Sequence, residues 1–242
     1  DNIEKKRSYI RKNVIAWLKK PHLGMVNLFT AGDKHFFRHV QTVKKRTGLK
    51  LDLWGINPYE VTHFKAGFLG IAPDFELKEV YNSGIFKQLN YHAKRTFQML
   101  SNPSYLNSSI FDNLYGEIYR SVIKKKHHYS IFDFHKWNEA EVDEILKLYG
   151  WEKSIDTKST WRIGDGAAAF YNYIYFTLAG FSEHDTFRSN QIREGDIGRE
   201  EALKIVKIES QPRFQNIKWF LEIINLDFED TINIINSKKL KL

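Results

Sequence analysis

Apolar positions along the chain fall into two spacings. Over residues 8–20 (SYIRKNVIAWLKK), Ile10, Val14, Trp17 and Leu18 recur at the interval of one helical face, and Pro21 ends the run. MVNLFT (25–30) is an unbroken apolar run and reads as a buried strand. Ala31-Gly32-Asp33 follows, with Asp33 placed to cap a helix over 34–46. Gly48 stops that helix, and LKLDLWG (49–55) reads as a second strand. Strand, helix and strand in about 30 residues make a βαβ unit, which predicts parallel strands and a right-handed crossover.

After Pro58 the spacing becomes helical. It predicts helices over 76–99, 108–123, 139–148 and 166–178, then near 199–208, 213–224 and 228–236. Two parallel strands are too few to stand alone, so further strands are either concealed in the pattern or outside this chain. The expected fold class is α/β: a partial doubly wound parallel sheet in residues 1–74 and a helix-rich region over 75–242. No internal repeat is visible. The low-complexity features are two lysine runs, Lys124–Lys126 and the terminal KKLKL.

Composition narrows the chemistry. Of 242 residues, 42% are hydrophobic and 15% aromatic, enough for a packed core. The net charge of +8 favours anionic partners: nucleotides, nucleotide sugars, nucleic acid or an acidic membrane surface. The absence of cysteine removes disulfides, thiolate zinc sites and cysteine nucleophiles. The polar opening segment lacks the apolar core of a signal peptide, and no stretch reaches the roughly 18 apolar residues of a membrane span. A soluble cytoplasmic protein is expected.

Chemistry-bearing residues are densest over 160–195. Arg162, Gly164, Asp165 and Gly166 form a polar turn ahead of Ala167-Ala168-Ala169, and backbone N–H groups at such a helix start can hold an anion. The plainer alternative is an Asp165 cap with alanines that permit close packing. Glu183, His184, Asp185, Arg188, Asn190, Gln191, Arg193 and Glu194 follow, and the arginine fork suits phosphate or carboxylate. The alternative there is a solvated helix with its own ion pairs, although Phe187 and Ile192 interrupt the charges. At the end of the second strand, Gly55, Asn57 and Glu60 stand where open α/β sheets bind ligands; an Asn-Pro turn is the other reading. The histidines, including the His35/His39 and His127/His128 pairs, make no metal pattern, so no metal ligand set is expected in the protein itself. The aromatic stripe Phe170, Tyr171, Tyr173, Tyr175 and Phe176 reads as core, as do Trp17, Trp137, Trp151 and Trp219.

TWRIGDGAAAFYNYIYFTLAGF, EHDTFRSNQIREG, REEALKIV and IKWFLEIINLDFED, with WGINPYE more loosely, resemble the N-acetyl sugar amidotransferase family. These are PP-loop ATP pyrophosphatases with an adenine-nucleotide alpha-hydrolase-like fold, serving lipopolysaccharide, O-antigen and other bacterial surface-polysaccharide synthesis. The resemblance implies ATP and magnesium as cofactors and a nucleotide-activated N-acetyl sugar as acceptor. It implies adenylation of an amide or carboxyl oxygen with pyrophosphate release, then ammonia attack and AMP departure to leave an acetamidino group. A glutaminase subunit resembling the histidine-biosynthesis amidotransferase, with a cyclase-like companion, would supply the ammonia. Transferred by motif, Gly55, Asn57, Glu60, Arg162, Gly164, Gly166, Glu183, Asn190, Gln191 and Arg193 would bind substrate or nucleotide. Asp165, Asp185 and Arg188 would be catalytic, with Arg188 and Arg193 on phosphate and Asp165 or Asp185 on magnesium or the acceptor. The family's Ser-Gly-Gly-x-Asp-Ser phosphate loop and amino-terminal cysteines are absent from the sequence. A fragment of a longer enzyme is therefore expected, with the isolated chain inactive toward ATP; a degenerate relative without ATPase function is the other explanation. The alternatives are an RNA-binding or tRNA-modifying relative and a non-catalytic module that docks a glutaminase.

Overall fold

A computed structural model of the chain describes residues 3–30, 35–73, 84–121, 123, 125–152 and 166–238. It is mostly helical with one small parallel sheet, an α/β composition at its coarsest. The chain divides into two compact units: unit 1 is Asp1–Ile56 with Thr62–Asp133, and unit 2 is Asn57–Val61 with Phe134–Leu242. The division thus comes after Asp133, while the expected boundary at residue 74 falls outside the described residues.

Unit 1 holds α1 (Ile3–Lys19), α2 (His35–Thr47), β1 (Asp52–Trp54), α3 (His63–Gly67), α4 (Ile85–Leu100), α5 (Ser109–Ser121) and β2 (His128–Ser130). As its spacing predicts, α1 buries Ile10, Val14 and Trp17, together with Asn13 and Ala16. The Trp17 ring meets Phe29 edge-on at 6.0 Å, and its Nε1 donates to the His22 carbonyl at 3.1 Å.

The expectation of a strand over 25–30 is corrected: Leu23–Thr30 is a 3₁₀ helix. Its side chains Leu23, Met25, Val26, Leu28 and Phe29 are all buried, and the Asn13 amide holds the Leu28 carbonyl at 2.9 Å. A segment apolar on every side carries no period by which strand and helix can be told apart. The expected βαβ pairing is corrected with it. β1 pairs in parallel with β2 instead, in the register Asp52↔His128, Leu53↔Tyr129 and Trp54↔Ser130. The crossover from β1 to β2 runs over residues 55–127, far longer than the connection over 31–48 that the spacing suggested. The expected cap at Asp33 lies outside the described residues.

A buried carboxylate pins that register. Asp52 accepts from Lys44 of α2 at 2.6 Å, from His128 Nδ1 at 2.9 Å and from Trp54 Nε1 at 3.1 Å. Burial opposes its ionisation, but the bonds from Lys44, His128 and Trp54 outweigh burial and hold its pKa below the ordinary 3.8. The folded state therefore binds a proton at Asp52 less readily than the unfolded chain does. Its contribution is present above 3.8 and is lost as pH falls through the lower folded value. Acid titration of Asp52→Asn should show a shallower loss of unit 1 stability below about pH 4 than the parent. Identical acid limbs would sink the assignment.

Unit 2 holds α6 (Glu139–Leu148), α7 (Ala167–Ala179), α8 (Glu183–Arg193), α9 (Arg199–Glu209), α10 (Phe214–Ile223) and α11 (Phe228–Ser237); all but α8, for which the spacing gave no span, lie within a few residues of expectation. Asn138 caps α6, and Asp227 caps α11. The core gathers Phe170, Ile174, Tyr175, Phe187, Ile217, Leu221, Ile224 and Ile235. Trp137 is buried as expected, but Trp219 is 51% exposed and Phe176 is 42% exposed. On α10 the inward side is taken by Ile217, Phe220 and Leu221, which turns Trp219 to the other face.

The charge divides unevenly between the units. By sequence, unit 1 has 22 lysines and arginines against 10 acidic residues, net +12. Unit 2 has 15 against 19, net −4, and the two recover the +8 of the chain.

Candidate functional site

Two of the predicted motifs meet within unit 2. Residues 57–61, the continuation of WGINPYE, form a short 3₁₀ turn in which the Asn57 carboxamide oxygen accepts from the Tyr59 N–H at 3.0 Å. Asn190 of α8 donates to the Tyr59 carbonyl at 2.8 Å, which fastens that turn to the helix. The Tyr59, Trp137 and Phe187 rings then pack mutually edge-to-face, with centroids 5.4–5.8 Å apart. Asn57 and Asn190, singled out as ligand contacts, are thereby joined in one scaffold.

Arg188 projects from the same helix and is only 4% exposed. Its Nε and Nη2 bind both oxygens of Glu209 at 3.0 and 2.5 Å. Its Nη1 reaches Glu139 at 3.0 Å and the Gln191 carboxamide oxygen at 2.7 Å. Burial works against the guanidinium's charge, but Glu209 and then Glu139 outweigh it and raise its pKa above the ordinary guanidinium value. Beside it, Asp196 accepts from the Tyr59 hydroxyl and from Lys136. Burial opposes its ionisation too, yet Lys136 and Tyr59 keep it below the ordinary 3.8. The Tyr59 phenol is raised above 10, first by burial and then by its bond to Asp196.

Arg188, Gln191, Glu139, Lys136 and Asp196 border a cleft of about 760 Å³. Its walls include Glu139, Glu141, Asp196 and Glu201 against Lys136 and Arg188, with Gln191 between them and Trp137, Ile197 and Ile205 as apolar surface. The volume suits a small-molecule ligand. Carboxylates and a carboxamide beside aromatic and aliphatic surface suit a neutral ligand rich in hydroxyl groups. A polyphosphate would meet more negative than positive charge here. Tyr59→Phe should cost unit 2 about 1–3 kcal/mol in urea denaturation, because Asp196 loses a donor to a partly buried charge; an unchanged midpoint would deny that bond any weight.

The other expected residues fall elsewhere. Asp185 accepts from the Ser182 backbone N–H at 2.8 Å and completes a capping box for α8, so its chemistry is that of a helix start. Glu183 is buried and bonded to Asn172 at 3.2 Å. Arg193 donates to Asn190. Gly166 caps α7 at φ +80, and a Cβ there would stand 2.7 Å from that of Phe220, so the turn packs on α10. Glu60 lies in the Pro58–Glu60 turn, and Gly55 follows β1 in unit 1. Arg162, Gly164 and Asp165 lie outside the described residues. The Arg188 guanidinium is bonded to Glu209, Glu139 and Gln191, and the Cβ position of Gly166 is covered by Phe220 and Asn216. Tyr59, Lys136, Glu139, Asp196 and Glu209 were not expected from sequence. Glu139 alone had a local signal, as the first residue after a capping Asn138.

Among the described residues no cluster of three or more His, Asp or Glu could hold a metal ion, and no helix is long and apolar enough to cross a membrane. No known protein-family model, no curated protein and no solved structure matches the chain.

Proposed function

We propose that this chain supplies the acceptor-binding part of an ATP-dependent amidotransferase acting on a nucleotide-activated N-acetyl sugar. The observation that supports the reading is the cleft in unit 2, where Gln191, Asp196 and Glu201 offer hydrogen-bonding groups beside Trp137 and Ile205. Such a lining suits the sugar ring rather than the diphosphate. The motif resemblance over residues 160–195 and 199–230 supports the amidotransferase chemistry. The same resemblance carries the proposals of a PP-loop fold, a cytoplasmic setting and a glutaminase as ammonia source.

Thermal stability against a panel of UDP- and CMP-linked N-acetyl sugars, ATP with magnesium, and short RNA tests the reading. A ligand that binds only the folded state raises the Tm by mass action. One nucleotide sugar should raise it, and Glu201→Ala, an exposed position on the cleft wall, should remove most of that shift while leaving the unliganded Tm within a few degrees of the parent. A panel in which no sugar nucleotide shifts the Tm would overturn the proposal, as would a shift with RNA alone.

A further inference from the structure

Unit 1 carries a second surface with its own chemistry. On α5, Phe111, Leu114, Tyr115 and Ile118 recur at i, i+3, i+4 and i+7 and are 80%, 50%, 40% and 45% exposed. They form one wall of an open groove of about 460 Å³, with α1 and α2 contributing Lys5, Tyr9 and Arg38. Cations stand over the groove's rings: Arg38 lies 4.7 Å from the Tyr115 centroid, and Lys5 lies 5.5 Å from that of Tyr9. The groove is thus apolar along one helix with Arg38 and Lys5 at its rim, its one carboxylate, Asp112, being held by His35 at 3.1 Å, in the unit of net charge +12.

We propose that this groove docks an acidic amphipathic α-helix of a partner protein, an interaction independent of the sugar-binding reading of unit 2. Anchors at i, i+3, i+4 and i+7 are the spacing that another helix's apolar face meets. An apolar stripe of this kind is ordinarily buried against a second element. Charge complementarity fixes the partner's sign, since carboxylates flanking its apolar face would lie beside Arg38 and Lys5. RNA answers the same charge but fits the surface less well. Leu114 and Ile118 give bases nothing to stack on, and the Tyr9 and Tyr115 rings already carry cations.

The probe is a fluorescein-labelled peptide of repeated Glu-Leu-Leu-Glu-Glu-Leu-Ala, about five helical turns long, beside a scrambled peptide of identical composition. Binding to the whole chain is read by anisotropy at low and physiological salt. The ordered peptide should bind about tenfold or more tighter than the scrambled one. Leu114→Lys should weaken it by a similar factor despite adding a positive charge, and Arg38→Glu should weaken it and flatten the salt dependence. Both positions lie on the surface, and an unchanged circular dichroism spectrum confirms that the variants fold. Equal binding of the two peptides, or a Leu114→Lys variant that binds as the parent does, would overturn the proposal. So would single-stranded RNA that binds more tightly than the ordered peptide and displaces it.

Discussion

Arg188→Ala is expected to destabilise unit 2 by about 3–5 kcal/mol, the usual cost of leaving a buried charge without its partner. The Glu209 side chain is 4% exposed and receives two charge-assisted bonds from Arg188, while Glu139 receives a third. Truncation strands the Glu209 carboxylate where water cannot replace the guanidinium, while Glu139, whose side chain is 25% exposed, can turn to water. Arg188→Lys keeps the charge but has a single nitrogen, which cannot span both oxygens of Glu209 and also reach Glu139, so it should fall between parent and alanine. Replacing Arg188 and Glu209 together with leucine should cost less than the two single changes summed. Hydrogen exchange of the α8 and α9 amides reads unit 2 separately from unit 1, as a chain of two compact units requires. A loss below about 1 kcal/mol for Arg188→Ala would class the network with surface ion pairs. Unchanged exchange combined with a lost ligand shift would restore a direct binding role to Arg188.

Gly166→Ala is expected to cost about 2–5 kcal/mol. Roughly 1–2 kcal/mol comes from placing a Cβ at φ +80. A further 1–3 kcal/mol comes from overpacking, since that Cβ would lie 2.7 Å from Phe220 Cβ and 3.0 Å from the Asn216 carbonyl oxygen. Neither contact is the end of a flexible side chain that could swing away. Gly180 at the other end of α7 has φ +77 with nothing within 4 Å of its Cβ position, so Gly180→Ala isolates the conformational part. The difference between the two urea midpoints measures the packing part. Equal losses would mean that α10 yields to the new methyl group. A stable Gly166→Ala variant that no longer responds to nucleotide sugars would return the turn to a ligand-binding role.

The helices of unit 2 other than α8 were legible because what starts and ends them is local. Asn138 and Asp227 bond to amides two or three residues on. The 3.6-residue spacing of Phe170, Ile174 and Leu178, or of Ile217 and Leu221, marks a buried face without reference to any partner. That spacing does not say which side of a helix stays outermost, and Trp219 was misplaced for that reason.

Charge and the absence of cysteine were likewise determined by the sequence alone, as was the grouping of candidate residues over 160–195. Tertiary structure decided the rest. It gave β1 a partner at residues 128–130, because Asp52 finds His128 only when chain far apart in sequence closes on itself. It folded the apolar run at 23–30 into a 3₁₀ helix against α1, where all its faces could be buried. It also turned the Arg188 fork inward onto Glu139 and Glu209, 49 and 21 residues away. Spacing and capping act across a few residues and are written in order along the chain. Strand partners and ion-pair partners are chosen by long-range closure, where burial and charge compensation outweigh sequence proximity.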